Sequence, residues 1–336
     1  MKTVKINFTG FWEPFDVEDN FITNMLRKHY QVEISDDPDY LFCSCFGFYD
    51  YLDHQKIRIM FSGENYTPDF NYMDYGLSVY PIQFLDRHFT FPGILLSRYD
   101  SLVELSKKKR EYSAEILKEK PLFANMIASH ECQGNFRGDL MRVLEQYRRV
   151  EAAGSYLNNM PDNACVQMED GSKVALQKKC KFTICPESVL HEGFVTEKIF
   201  DAFLSDTIPI YYGSSTITSI FNREAFINVR DYDSLQDVLD RVIELDRNDD
   251  KYLEMLNQPI FTDENYVEKS LKGMEAFLCH IVDQPIEQAY RRCKYHTPAE
   301  QEETLKECMR RGFSYMATQY FTVKDAYLAF KKKITG

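Results

Sequence analysis

The chain has 336 residues, with 40 Lys and Arg against 52 Asp and Glu, a formal net charge of −12. Apolar residues make up 44% and charged residues 27%, which suits a globular protein with proper cores. The acidic balance argues against nucleic-acid binding, which needs basic surface, so any anionic ligand must be met by locally placed Lys and Arg. The length is natural for two domains. The nine cysteines are scattered, with no C-x-x-C pair and no zinc spacing, and suggest a reduced, cytoplasmic protein without structural disulfides. No basic leader and no run near 18 apolar residues occurs. There is no G-x-G-x-x-G and no G-K-[ST] loop, which removes the main support for a nicotinamide enzyme or a P-loop NTPase. His130-Glu131 and His191-Glu192 lack the second His of a zinc helix.

In chain order, apolar runs predict strands at residues 4–8, 31–34, 40–44, 57–62 and 76–80, with a helix at 21–29. Strands alternating with helices imply a parallel sheet. A charged helix over 102–118 reads as a linker, ended by Lys120-Pro121. A second series follows: strands at 122–129, 182–185, 208–212 and 226–229, and helices at 137–148, 196–204, 234–247 and 250–257. Helical patterns continue at 270–282, 299–311 and 323–333. The last ends in a short basic tail, Ala326 to Lys333, which is at most a peripheral membrane contact. The predicted organisation is therefore two α/β domains, 1–118 and 119–268, then a helical segment, 269–336.

The densest chemistry lies between Phe182 and Gly213. Thr196 is a good helix cap, and first-turn amides at the carboxyl end of a strand make a ready anion site. Lys198 opposes the dipole of that helix, so it is well placed only beside an anion. With Glu187 and Glu197 nearby, the mix suits a phosphate-bearing ligand whose hydroxyls are read by acids. An ordinary βα connection with a solvated Glu-Lys pair is the plainer alternative. A second stretch, Phe61 to Pro92, places Glu64 just past a strand end, where a general base belongs. A third, Ile127 to Leu140, brings Arg137 to a helix start eight residues after Ser129; its planar fork binds phosphate oxygens bidentately. Trp12, the only Trp, follows the first strand beside Glu13, a spare base candidate.

These blocks resemble the bacterial α-1,3/1,4-fucosyltransferases. Gly193-Phe194-Val195-Thr196-Glu197-Lys198, preceded by Phe182 and Glu187 and followed by Pro209, Ile210, Tyr211 and Gly213, matches the donor signature of that family. Gly63-Glu64-Asn65, Pro68-Asp69-Phe70-Asn71, Asp74-Tyr75 and Asp86-Arg87 match its acceptor block. Ser188 replaces the usual Asn, Phe194 the usual Tyr, and His130 another Asn. The resemblance implies a GT-B α/β fold, two Rossmann-like domains facing a central cleft with C-terminal helices. It implies inverting transfer of L-fucose from GDP-β-L-fucose to O3 of GlcNAc or Glc in lactose or N-acetyllactosamine glycans, without a metal or other cofactor. Glu64 would be the base, and Arg137 and Lys198 the charge clamps. Ser129, Glu187, Ser188, Phe194, Val195, Thr196, Glu197 and Tyr211 would line the donor site, and Trp12, Glu13, Glu64 and Asn65 the acceptor site. A transferase with a different nucleotide-sugar donor, or a non-catalytic glycan or nucleotide binder, is the alternative. The oligomeric state is open.

Overall fold

A computed structural model describes residues 1–47, 50–91, 99–132, 134–167, 171–293, 299–308 and 311. Its strands form two all-parallel sheets. The first holds β1 Thr3–Thr9, β2 Gln31–Ile34, β3 Tyr40–Cys43, β4 Ile57–Ser62, β5 Tyr75–Ser78 and β6 His88–Thr90, in the order β2-β1-β3-β4-β5-β6. The second holds β7 Leu122–Met126, β8 Val150–Ala152, β9 Cys180–Ile184, β10 Ile208–Tyr211 and β11 Ile227–Asn228, in the order β11-β10-β9-β7-β8. The expected fold class is the one observed. Every residue of β4 is buried, as in a strand covered on both faces.

Strand order reverses direction between β1 and β3 in the first sheet and between β7 and β9 in the second. Parallel sheets open a crevice at such switch points, beyond the carboxyl ends of the strands. The loops after β1, β3, β4, β7 and β9 therefore face that crevice, and they carry the sequence motifs.

Helices cover the sheets. In the first domain α1 Phe21–Arg27 is capped by the Asn20 side chain, which accepts from the Thr23 N–H at 3.0 Å. Helix α2 spans Tyr99–Lys107. In the second domain come α3 Phe136–Glu145, α4 Ser172–Lys178, α5 Glu197–Leu204, α6 Leu235–Arg247 and α7 Asp249–Leu256. Their core includes Phe182, Leu140, Val238 and Tyr252. Each such fully buried large apolar side chain contributes about 1.5–3 kcal/mol. The buried face of α5, Ile199, Phe200 and Phe203, packs instead into the core that holds the first sheet.

The C-terminal helices return to the first domain. Helix α8 Tyr266–Asp283 sends Leu278, Ile281 and Val282 into the core with Val4, Ile6 and Leu26. Tyr30 donates to Asp283 at 2.8 Å. After α9 Ile286–Ala289 the chain crosses the outer strands: Arg292 meets the buried Asp74 at 3.0 Å, and Glu302 takes the buried Arg58 guanidinium through two nitrogens, at 2.8 and 3.1 Å.

The predicted helix over 102–118 stops at Lys107. The segment beyond is held by tertiary bonds, since Lys108 reaches the Leu204 carbonyl and Asp206, and Tyr112 N–H bonds Asn257. Strands β6 and β8 and helix α4 carry no periodicity that reveals them, and α8 begins at Tyr266 where residue 270 was expected. The predicted helix over 323–333 and its basic tail lie outside the described residues. No helix among the described residues is long and apolar enough to cross a membrane, and no described cysteine is in a disulfide.

Candidate active site

A cavity of about 590 Å³ lies between the two sheets. The first domain gives it Trp12, Ser44, Phe46, Gly63 and Glu64; the second gives Ser129, Arg137, Ser188, Phe194, Thr196, Glu197 and Lys198, among others. Nine of the sequence-predicted residues thus share one cavity. Glu13 and Asn65 are exposed on the loops beside it, and neither lines it. Glu187, Val195 and Tyr211 are buried behind its wall.

Glu187 is the centre of that wall. Its carboxylate, fully buried, accepts the Thr196 N–H at 2.8 Å and the Thr196 hydroxyl at 2.6 Å. The Thr196 N–H and hydroxyl at the start of α5 are therefore taken by a carboxylate of the protein, and Thr196 spends its hydroxyl there and not on capping the helix. Lys198 lies 3.6 Å from Glu187 and 3.3 Å from Glu197, and donates to the Thr196 hydroxyl oxygen at 2.9 Å. The Lys198 charge against the helix dipole is thus offset by two internal carboxylates. Burial pushes the Glu187 carboxyl up, against the pull of Lys198 and Thr196. Burial also works against the Lys198 ammonium, but Glu187 and Glu197 outweigh it and hold its pKa above the ordinary value.

Arg137 ties two loops together. Its guanidinium, on a residue only 2% exposed, donates to the His130 carbonyl at 2.6 Å, after β7, and to the Pro186 carbonyl at 3.1 Å, after β9. Its own N–H and that of Gly138 bond Glu131 at 3.0 and 3.1 Å, so α3 also begins on an internal carboxylate. Burial raises the Glu131 carboxyl, but the Tyr156 hydroxyl and those amides outweigh it, and the group sits below its usual range. These bonds fix the cation at the cavity edge, where it can meet phosphate oxygens without reorganising.

Across the cavity, Glu64 is exposed at the carboxyl end of β4, its N–H bonded to the Ser62 hydroxyl at 3.3 Å. It faces a second domain that supplies both cations. The arrangement suits deprotonation on one side and neutralisation of a leaving group on the other.

Sequence reasoning missed several lining residues, Lys173, Ser44 and Phe46 among them. Lys173, on α4, pairs with the buried Asp201 at 2.7 Å and lines a small cavity of about 20 Å³ beside Arg137 and Lys198. That is room for about one water-sized group. With Lys198 it also lowers the Glu197 carboxyl, against burial. Nothing in the sequence marks it, because its partner lies 28 residues away on another helix. Phe46, in a run of aromatics, gave no periodic signal. Among the described residues no group of three or more His, Cys, Asp or Glu is placed to hold a metal ion.

Two facing parallel-sheet domains, with a carboxylate on one lip and a fixed Arg-Lys pair on the other, define a GT-B glycosyltransferase architecture. Residues 6–97 match the N-terminal domain model of alpha-(1,3)-fucosyltransferase FucT, and residues 117–310 the C-terminal model of glycosyltransferase family 10 (fucosyltransferase). The chain belongs to glycosyltransferase family 10.

The alpha-(1,3)-fucosyltransferase FucT of Helicobacter pylori is 26% identical over 326 residues, covering 84% of this chain and 66% of that protein. The human 4-galactosyl-N-acetylglucosaminide 3-alpha-L-fucosyltransferase 9 is 27% identical over 124 residues, 36% of this chain and 32% of that protein. The chain thus spans about two thirds of the bacterial relative and one third of the human one. A crystal structure of an alpha1,3-fucosyltransferase superposes with a TM-score of 0.72 at 23% identity, over 88% of this chain and 93% of the other. The GDP-fucose complex of an alpha1,3-fucosyltransferase gives 0.63 at 23% identity, over 83% and 91%. These two share the fold.

Proposed function

We propose that the protein is an inverting α-1,3-fucosyltransferase that moves L-fucose from GDP-β-L-fucose to a hydroxyl of a lactose- or N-acetyllactosamine-type glycan. The observation that carries this reading is the pairing across one cavity of Glu64 from the first domain with Arg137 and Lys198 from the second. The family, and the GDP-fucose bound to an alpha1,3-fucosyltransferase of the same fold, support the donor.

In this reading Glu64 takes the proton of the acceptor hydroxyl. The freed oxygen attacks C1 of fucose from the face opposite the diphosphate, so the C1–O bond breaks and its electron pair leaves with GDP. Arg137 and Lys198 neutralise the charge that grows there, which makes a catalytic metal unnecessary. Glu197 reads donor hydroxyls, while Glu187 acts from behind, as the anchor that keeps Thr196 and Lys198 in place.

A second donor is the one rival with an observation behind it. Ser188 and Phe194 both line the cavity, at positions where the family pattern has Asn and Tyr. Mass spectrometry of the purified protein with GDP-fucose, a panel of other nucleotide sugars, and lactose or N-acetyllactosamine, with EDTA present, tests both. The expected product is acceptor plus one deoxyhexose, with GDP released. Transfer from another nucleotide sugar in its place refutes the fucosyl reading, and transfer that EDTA abolishes refutes metal independence.

A further inference from the structure

The chemistry of transfer uses the carboxylate and the cations of the cleft and leaves one aromatic side chain there unexplained. Phe46 is 51% exposed, in a domain where Phe8, Phe42, Phe61 and Phe91 pack against one another or their neighbours. A single exposed aromatic on a convex surface needs no explanation. Phe46 instead lines a concave cavity beside Trp12, Ser44 and Glu64.

The fold holds it there. The loops after β1 and β3 touch backbone to backbone. Gly10 has φ +68°, and a Cβ on it would lie 2.6 Å from the Gly47 nitrogen and 2.8 Å from the Ser44 carbonyl oxygen. A Cβ on Gly47 would in turn lie 2.7 Å from the Gly10 Cα. Through this contact the Phe46 N–H donates to the Gly10 carbonyl at 3.0 Å, and the Ser44 N–H donates to Thr9 at 2.9 Å. The backbone on which Phe46 stands is therefore pinned to the strand-end loop that carries Trp12. The Trp12 ring is fixed in its turn, edge-on to Phe15 with centroids 5.2 Å apart and tilted against Phe11 at 5.6 Å. Among the described residues the first-domain wall thus presents the held Trp12 ring, the Phe46 ring on its pinned backbone, one hydroxyl and one carboxylate, and no cation.

We propose that Phe46 is an acceptor-selecting residue, its ring covering the apolar C–H face of the pyranose that carries, or adjoins, the attacking hydroxyl. This rests on the transfer reading above. A pyranose offers an apolar face and a rim of hydroxyls. Aromatic rings cover the face and exclude water, while Ser44 and Glu64 meet the rim. The donor's diphosphate belongs with Arg137 and Lys198 on the opposite lip, which leaves this wall to the acceptor. The single formal charge of the wall is negative, so it selects neutral sugars over acidic ones.

The test is steady-state kinetics of Phe46→Ala, Phe46→Tyr and Phe46→Trp at saturating GDP-fucose, with GDP titrated into each by calorimetry. The acceptor KM of Phe46→Ala should rise about threefold to tenfold, the range of an aromatic contact. Its GDP affinity and its rate of donor hydrolysis, with water as acceptor, should stay within about twofold of wild type, and the aromatic variants should restore the acceptor KM. An unchanged acceptor KM in Phe46→Ala overturns the inference alone. So does a GDP affinity that falls in step with the rise in acceptor KM. A wild-type protein that binds GDP but gives fucose to no sugar overturns the transfer reading and this inference with it.

Discussion

Lys198→Met removes one cation from the cleft and leaves its buried partner behind, and the two effects are separable. Loss of a positioned charge at the leaving group should lower kcat about 10²- to 10³-fold. The second effect concerns Glu187, fully buried and 3.6 Å from the Lys198 nitrogen. Its carboxyl already lies above the ordinary value of 4.5, and removing Lys198 raises it further. A folded-state value above the unfolded one means that the native protein binds the proton more tightly. Below the unfolded value both states are protonated and the residue adds no penalty. As pH rises toward the folded value, only the unfolded chain ionises, and stability falls by up to about 1.4 kcal/mol per pH unit. Lys198 stays protonated over this range, and Glu197 keeps the field of Lys173. The stability gap between wild type and Lys198→Met should therefore widen on going from pH 5.5 to pH 8, by on the order of 1–3 kcal/mol. Urea denaturation at the two pH values measures it. A variant whose kcat stays within about threefold of wild type would remove Lys198 from the chemistry, by the size of effect expected above. A gap that does not change with pH would show that Glu187 is not held as described.

Glu64→Gln should lose about 10²- to 10⁴-fold in transfer rate while binding GDP as the wild type does, by initial rates and calorimetry. Gly193→Ala should raise the donor KM roughly tenfold. Gly193 has φ +80°, a left-handed conformation that costs a Cβ-bearing residue about 1–2 kcal/mol, and the new methyl would sit 2.5 Å from Pro81 Cδ and 2.8 Å from the Val79 carbonyl, pushing the donor loop off the first domain. Glu302→Ala leaves the fully buried Arg58 with backbone carbonyls and the Tyr51 ring but without that carboxylate, and should cost about 2–4 kcal/mol in urea denaturation, less than a fully buried pair because Glu302 is partly exposed.

The parts of the fold that were legible in sequence are those where local pattern and tertiary demand agree. Strands at 31–34 and 57–62 begin and end where the apolar runs do. Helix α6 starts after Ser234, whose side chain accepts the Asp237 N–H, a cap visible in sequence. What was not legible depends on distant partners. The helix read over 102–118 has good local propensity throughout, yet bonds from Leu204, Asp206 and Asn257 draw residues 108–113 out of it, and a 3₁₀ turn resumes at Ala114–Glu119. The three-residue strands β6 and β8 are too short to show a period, and exist because a neighbouring strand offers a parallel edge. In the cleft, the residue types were legible and their division of labour was not. Glu187 and Glu197 look alike in the motif, but one is sealed under Thr196 and the other faces the cavity, and only packing separates them.

The return of α8 onto the first sheet reverses the usual order of maturation. Lys2 bonds the Val282 carbonyl, 280 residues away, so the first sheet cannot complete its core until α8 has left the ribosome. The core of the second sheet, by contrast, is drawn entirely from residues 112–256, and it is ready to close first. Domains generally fold N-terminal first; here the nascent first sheet must wait with Val4, Ile6 and Leu26 uncovered, at the long sequence separation that makes closure slow. A ribosome stalled before α8 should therefore carry a folded second domain beside an unfinished first one, so the Glu64 wall of the cleft is completed after the wall that holds Arg137 and Lys198.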